Sequence, residues 1–276
     1  MRLDDGDRTN VEDRRGAFAG GGGTKLGIGG VLVLAVLSVL FKQDLFALLG
    51  SAPMQGAAQA SPQQVAERQA AEADLERTAV ASFNDAQRVW GQAVDGYRPA
   101  KLVLFWDEVR SGCGDAAAEM GPFYCPADHR VYIDLGFYRE LADRFGAPGQ
   151  FAQAYVIAHE VGHHLQSLLG ISQEVRDLQR RDPGRRNALS VLLELQADCF
   201  AGAWGKAAQD RGLLDPGDVE QGLAAAAAIG DDRIQRTTTG RVSPESFTHG
   251  SSAQRSRWFR AGLESGSLKA CDTFRR

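Results

Sequence analysis

The sequence predicts an α+β domain, dominated by helices and carrying a small sheet, preceded by one transmembrane helix. Three observations lead there. Two long segments, Phe151 to Leu169 and Asn187 to Gln209, lack proline and carry apolar residues through most of their length, the pattern of largely buried helices. Two short runs, Lys101 to Val109 and Arg130 to Tyr138, are rich in β-branched and aromatic residues and read as strands. One run, Leu26 to Phe41, holds 16 residues without a charge. The chain of 276 residues has room for one domain of roughly 200 residues plus extra segments. Its net charge of −4, with no basic patch laced by aromatics, argues against a nucleic-acid partner.

In chain order, residues 1–25 are expected to be a disordered cytoplasmic segment and 26–49 a membrane anchor. The uncharged run is shorter than the roughly 20 residues of a full span. Lys25 and Lys42 can snorkel at its ends, and "LFALLG" extends it past Asp44. A cleaved signal peptide competes with this reading; the long segment before the run, and Lys42 and Asp44 after it, argue against cleavage. Arg2, Arg8, Arg14, Arg15 and Lys25 precede the run, and only Lys42 follows it before Arg68. The retention of basic residues inside puts the N-terminus in the cytoplasm and the bulk of the chain outside. Residues 50–62, rich in Ala, Gln and Ser, form a tether, and 63–276 form the folded domain. Within it, Gln63 to Val94 reads as one long amphipathic helix, Val219 to Gln235 as another, and Arg236 to Ser246 as a loop.

Function concentrates in "YVIAHEVGHHLQ", which holds three of the five histidines. His159, Glu160 and His163 read H-E-x-x-H. Residues four apart lie one above the other on a helix, so two imidazoles can hold one Zn²⁺ while Glu160 reaches a water beside it. The flanking Val156, Ile157, Ala158, Val161 and Leu165 are apolar, and buried histidines need partners. Catalytic zinc takes three protein ligands, so a third is needed. In "NALSVLLELQADCFAGAWGKAAQ", Glu194 and Asp198 sit four apart in an apolar helix, where an acidic pair is unfavourable unless something cationic meets it. Glu194 is the candidate third ligand. Asp198, one turn on, can accept the second ring N–H of a ligand histidine and fix its tautomer.

H-E-x-x-H followed by E-x-x-A-D resembles the gluzincin metallopeptidases, whose later glutamate is the third ligand. "SFTHGSSAQRSRWF" resembles a T-H-P-x-x-x-x-R segment of membrane-associated peptidases, with Gly250 in place of the proline. "NVEDRRG", the glycine run, the hydrophobic run, "GPFYCPADHRVYIDLGFY", "AHEVGHHLQ", "ELQADCFAGAW" and "SFTHGSSAQR" together resemble the bacterial family named "putative neutral zinc metallopeptidases". The resemblance implies a zincin-like peptidase domain. In that fold a strand beside the cleft pairs with extended substrate, a role expected here for "VYIDLGF". A second donor to the developing oxyanion is expected beside the metal. His249 is the candidate, with Arg255 as its helper or as holder of a substrate carboxylate. His164 points to another side of its helix, and His129 sits in a surface turn, so both are left outside the site.

Four cysteines, Cys113, Cys125, Cys199 and Cys271, allow three pairings, and none forms C-x-x-C. Cys113 and Cys125 flank a short loop between the two strand-like runs, which favours a local bridge and leaves Cys199 for Cys271. Disulfides suit the extracytoplasmic side that the basic residues indicate. The reading is therefore a membrane-anchored zinc peptidase acting on protein or peptide substrates. Two alternatives stay open: a non-proteolytic zinc-binding membrane scaffold, in which Glu160 would be idle, and a zinc amidase acting on cell-wall material.

Overall fold

The computed structural model describes residues 1–4, 6–16 and 61–275. The anchor expected at 26–49 and most of the tether at 50–62 lie outside these residues. Among the described residues no helix is long and apolar enough to cross a membrane. The chain divides into two compact units, one made of Met1–Arg15 with Gln69–Arg276 and the other of Gly16–Arg68. In the described part of the second unit, the Ser61 hydroxyl accepts from the Gln64 N–H, and the Gln64 side chain accepts from the Ser61 N–H. This reciprocal cap starts helix α1, Pro62–Ala71.

The first unit is α+β and helix-dominated, with a small sheet. Strands β1 (Val11–Asp13), β2 (Lys101–Phe105), β5 (Phe123–Cys125) and β6 (Arg130–Asp134) form one sheet in the order β1-β2-β6-β5. The first three of that order are parallel; β5 runs antiparallel to β6. A hairpin of β3 (Glu108–Ser111) and β4 (Gly114–Ala117) stands beside it. Alternation along the strands assigns the two faces. Leu102 and Leu104 of β2 join Val131 and Ile133 of β6 in the core shared with the helices. Val103, Phe105 and Tyr132 point the other way and pack with Val109 and Ala116 of the hairpin. Both faces are covered, so every residue from Leu102 to Phe105 is buried.

The helices are α2 (Ala73–Ala93), α3 (Gly136–Asp143), α4 (Gln150–Leu168), α5 (Ile171–Arg181), α6 (Arg186–Asp210), α7 (Asp218–Ala228), α8 (Asp231–Thr238) and α9 (Ser252–Ser265). Helix α4 is central and packs on α2, α6 and α7. Its Phe151 stacks on Trp204 of α6 at 5.8 Å between ring centres, and its Tyr155 meets Phe259 of α9 edge-on at 4.9 Å. Helices α6 and α9 touch backbone to backbone. A Cβ on Gly202 would lie 2.0 Å from the Phe259 carbonyl oxygen, and one on Gly262 would lie 2.0 Å from that of Cys199. Only glycine permits this approach, which seats α9 against the helix of Glu194.

Several expectations are corrected. The long helix from Gln63 to Val94 breaks at Glu72, which has non-helical φ/ψ of −102°/2° and turns its carboxylate inward to the Trp106 indole at 2.9 Å. The run from Lys101 to Val109 is two strands, parted at Asp107 with φ of 62°. The run from Arg130 to Tyr138 ends as a strand at Asp134. There one carboxylate oxygen accepts from Gly136 N–H (2.8 Å) and the other from Asp107 N–H (2.9 Å), turning the chain into α3. The run from Val219 to Gln235 is two helices, α7 and α8. The N-terminal segment, expected to be disordered, forms β1: Leu102 N–H donates to Asn10 C=O (2.9 Å) and Arg14 N–H to Leu104 C=O (2.8 Å). Its dense charges are consumed in ion pairs with the domain, which is why composition misread it. Both expected disulfides, Cys113–Cys125 and Cys199–Cys271, are formed.

Candidate metal centre

Helix α4 carries His159, Glu160 and His163, and α6 carries Glu194 and Asp198. Gly162 lets the two helices close on each other: a Cβ there would lie 3.1 Å from the Ala197 carbonyl oxygen. The approach brings three potential ligand side chains together. His159 Nε2 is 3.1 Å from His163 Nε2 and 3.2 Å from Glu194 Oε2, and His163 Nε2 is 3.4 Å from Glu194 Oε1. Tetrahedral zinc with bonds of about 2.0–2.1 Å separates its ligand atoms by about 3.3 Å. These spacings are close to those around one zinc ion, one ligand atom from each residue lies within 4.8 Å of the others, and this is the one His/Cys/Asp/Glu group of this kind among the described residues.

The other ring nitrogens are already engaged. His159 Nδ1 faces Asp198 Oδ1 at 2.9 Å, and His163 Nδ1 faces Gln166 Oε1 at 2.8 Å. Each acceptor holds a proton on Nδ1, so Nε2 is the nitrogen that would bind a metal once its own proton is displaced. Gln166 is itself fixed, its amide donating to the Leu193 carbonyl at 2.7 Å. Asp198, wholly buried, also accepts from Tyr155 Oη at 2.5 Å and from Arg255 Nε and Nη2, both at 2.9 Å. Burial opposes charge on His159, but the Asp198 and Glu194 carboxylates outweigh it and raise its pKa to about 10. Burial also opposes ionisation of Glu194, yet the two histidines hold its carboxyl well below the usual range. The pocket of carboxylates thus attracts positive charge. Glu160 shares the cleft wall with the ligands, and burial pushes its carboxyl up.

The cleft has a volume of about 620 Å³. One lip is the edge strand β5 with Phe123 and Tyr124, and the walls include Phe137, Phe145, Val156 and Ile234. His249 lines the same cleft with its side chain half exposed. It is held by Asp231, at the start of α8. One Asp231 oxygen faces His249 Nδ1 at 3.1 Å. The other accepts the backbone N–H groups of Thr248, His249 and Gly250 at 2.7, 2.7 and 3.0 Å. Hydrogen bonding to Asp231 raises the His249 pKa. With Nδ1 so occupied, Nε2 is the nitrogen available to the cleft. Helix α9 is capped by Ser251 and Gln254 in a capping box, so His249 is not its cap.

The structure thus unites His159, Glu160, His163, Glu194, Asp198 and His249. Arg255 also lines the cleft, 2% exposed, and its guanidinium donates to Asp198 and to the Ile229 carbonyl, so it holds Asp198 in place. One expectation changes. The "VYIDLGF" segment is not a cleft-side strand: β6 lies between β2 and β5, and β5 takes the edge. Gln166, Tyr155 and Asp231 were missed by sequence reasoning. Gln166 and Tyr155 lie three and four residues from His163 and His159 on the same helix, a spacing that could have found them. Asp231 lies 18 residues before His249 and carries no such signal. His164 is buried between the Arg98 carbonyl (2.7 Å) and Tyr124 Oη (3.1 Å), away from the donor triangle.

Two helices delivering H-E-x-x-H and a downstream glutamate to one metal position define the zinc-peptidase class. The chain belongs to the family described as "Putative neutral zinc metallopeptidase", whose profile matches residues 1–274. It is 47% identical over 278 residues to "Uncharacterized protein YpfJ" of Escherichia coli (strain K12), covering 96% of this chain and 95% of that one. It is 45% identical over 208 residues to "Uncharacterized protein Rv2575" of Mycobacterium tuberculosis (strain ATCC 25618 / H37Rv), covering 71% and 69%. No solved structure matches the chain.

Proposed function

We propose that this chain is a zinc-dependent peptidase that hydrolyses peptide bonds in a polypeptide bound along the β5 edge. The observation that carries the reading is the donor triangle of His159, His163 and Glu194 with Glu160 beside it in an open cleft. Zinc, when bound there, supplies a Lewis acid that acidifies water and polarises a carbonyl. Glu160 takes the proton from the attacking water at a carboxylate oxygen and later returns it to the leaving amine. Its burial, which raises its affinity for a proton, suits both steps. His249 Nε2–H donates to the carbonyl oxygen as negative charge develops, and Asp231 keeps that imidazole protonated and aimed. Asp198 and Gln166 hold the ligand imidazoles in register. The two disulfides support an oxidising, extracytoplasmic location for the domain, and attachment of the chain to a membrane rests on the run from Leu26 to Phe41.

The test compares the full chain with its Glu160→Gln form for zinc content and for cleavage of casein and of a quenched peptide library. The expected result is equal zinc and cleavage lowered at least about 100-fold, the usual scale for loss of a general base. Equal turnover in the two proteins overturns the assignment.

A further inference from the structure

We propose that residues 1–15 and the cleft-bearing domain lie on the same side of any membrane the chain meets.

The first ground is backbone pairing. β1 lies parallel to β2 in a fixed register, Val11 opposite Leu102, Glu12 opposite Val103 and Asp13 opposite Leu104. It covers the outer edge of β2, whose Leu102, Val103 and Leu104 are fully buried. Without β1 that edge would be an apolar strand with open backbone donors and acceptors, a site for unwanted pairing. The second ground is side-chain pairing over the whole arm. The Asn84 amide donates to the Asp7 carbonyl and accepts from the Asn10 amide, both at 2.7 Å. Glu12 accepts from Arg130 at 3.1 and 3.2 Å and faces Lys101 at 3.3 Å. The Arg15 side chain, 1% exposed, is enclosed by Asp13, Glu72 and Glu76. An arginine that deeply buried is destabilising unless its carboxylate partners are present, so Arg15 and the start of α2 require each other.

These contacts fix where the chain departs and where it returns. Arg15 is the last residue of the arm in the first unit, and Gln69 is the first to rejoin it. Arg15 Nη1 is 3.3 Å from Glu72 Oε2, so exit and re-entry are neighbours. A single crossing in the intervening 53 residues would put β1 on the far side of a bilayer from β2 and break every contact above. The same residues explain why the positive-inside reading pointed the other way. Arg8, Arg14 and Arg15, counted there as retained in the cytoplasm, are paired with Glu76, Glu12 and Asp13 in this unit. They hold the arm to the domain.

The experiment uses the full-length chain in the cells that express it. Cysteine is placed singly at exposed Asp4 and at exposed Glu264 of α9. Intact and permeabilised cells are then treated with a membrane-impermeant maleimide. Labelling of the two positions in step, both before or both only after permeabilisation, is the expected result. One position labelled in intact cells and the other only after permeabilisation overturns the proposal. A second arm tests docking directly by backbone amide exchange in the purified full chain. The Leu102 and Arg14 amides, which donate to the Asn10 and Leu104 carbonyls, should be protected against exchange. Exchange of both at the rate of an open chain would mean that the arm is not docked on β2, and would overturn the proposal as well. Neither arm depends on peptidase activity.

Discussion

Asp198→Ala separates the two jobs this residue does. Asp198 is fully buried and accepts from His159, Tyr155 and twice from Arg255. Removing it frees the His159 Nδ1 proton and loosens the ring that must present Nε2 to zinc. Loss of such a supporting acceptor weakens metal binding by roughly 10–100-fold, or about 1.4–2.7 kcal/mol. It also leaves Arg255, 2% exposed, as a buried cation without its carboxylate. Breaking a buried pair by removing one partner costs about 3–5 kcal/mol of stability, a term separate from zinc affinity. The assay is zinc titration against a competing chelator, together with urea unfolding of the metal-free protein. The double variant Asp198→Ala/Arg255→Met removes the stranded charge. It should recover much of the metal-free stability while zinc affinity stays low. Zinc affinity within twofold of the wild type in Asp198→Ala would refute the reasoning and leave Asp198 as a purely structural partner of Arg255.

The disulfides and the N-terminal arm give two further tests. Loop-closure entropy makes the bridge over 72 residues, Cys199–Cys271, worth about 4.4 kcal/mol, and the bridge over 12 residues, Cys113–Cys125, about 2.8 kcal/mol. Paired Cys→Ser variants measured by urea unfolding should fall in that order. The longer loop carries Asp231, His249 and Arg255, so its opening should lower turnover more, and a larger stability loss from Cys113/Cys125 would contradict this. For the arm, burial opposes charge on Glu12, but Arg14, Arg130 and Lys101 outweigh it and bring its pKa from 4.5 down to about 2. A depressed folded pKa gives stability that is present above pH 4.5 and lost as pH falls towards 2. The stability difference between the wild type and Glu12→Gln should therefore shrink across that window; a difference independent of pH would show that Glu12 is not ion-paired.

The candidate metal-binding group was legible because helical spacing and metal coordination impose the same constraint. His159 and His163 are one turn apart, as are Glu194 and Asp198, and both pairs sit in apolar surroundings that a charge enters only with a partner. The cysteine pairs were legible because one short loop fixed the first bridge and elimination fixed the second. The partner of Arg255 was not legible, because sequence places it near His249 without saying which way α9 turns. The glycine contacts of Gly202 and Gly262 seat that helix on α6, and they aim Arg255 inward at Asp198. Asp231 was invisible because nothing local marks a carboxylate that will meet a loop histidine 18 residues later.

The strand order was the least legible feature, and the N-terminal arm shows why. A segment such as "NVEDRR" has the charge density of a disordered tail, and no periodic pattern distinguishes a three-residue strand from a solvated stretch. What makes it a strand is distant: the open edge of β2, Arg130 on β6, and Glu72 and Glu76 at the start of α2. Each partner is separated from the arm by more than 50 residues of sequence, so no window can hold both sides. The edge assignment depends on it as well. With β1 on the outer side of β2 and β6 inside the sheet, β5 is left as the strand along the cleft. That strand ends in Cys125, bridged to Cys113 of the hairpin turn, so the lip that would align substrate is held to the hairpin by a covalent bond. The arm, the order of the sheet and the cleft lip are one arrangement, and a chain cut before Gln69 would lose the first of them and bare the edge of β2.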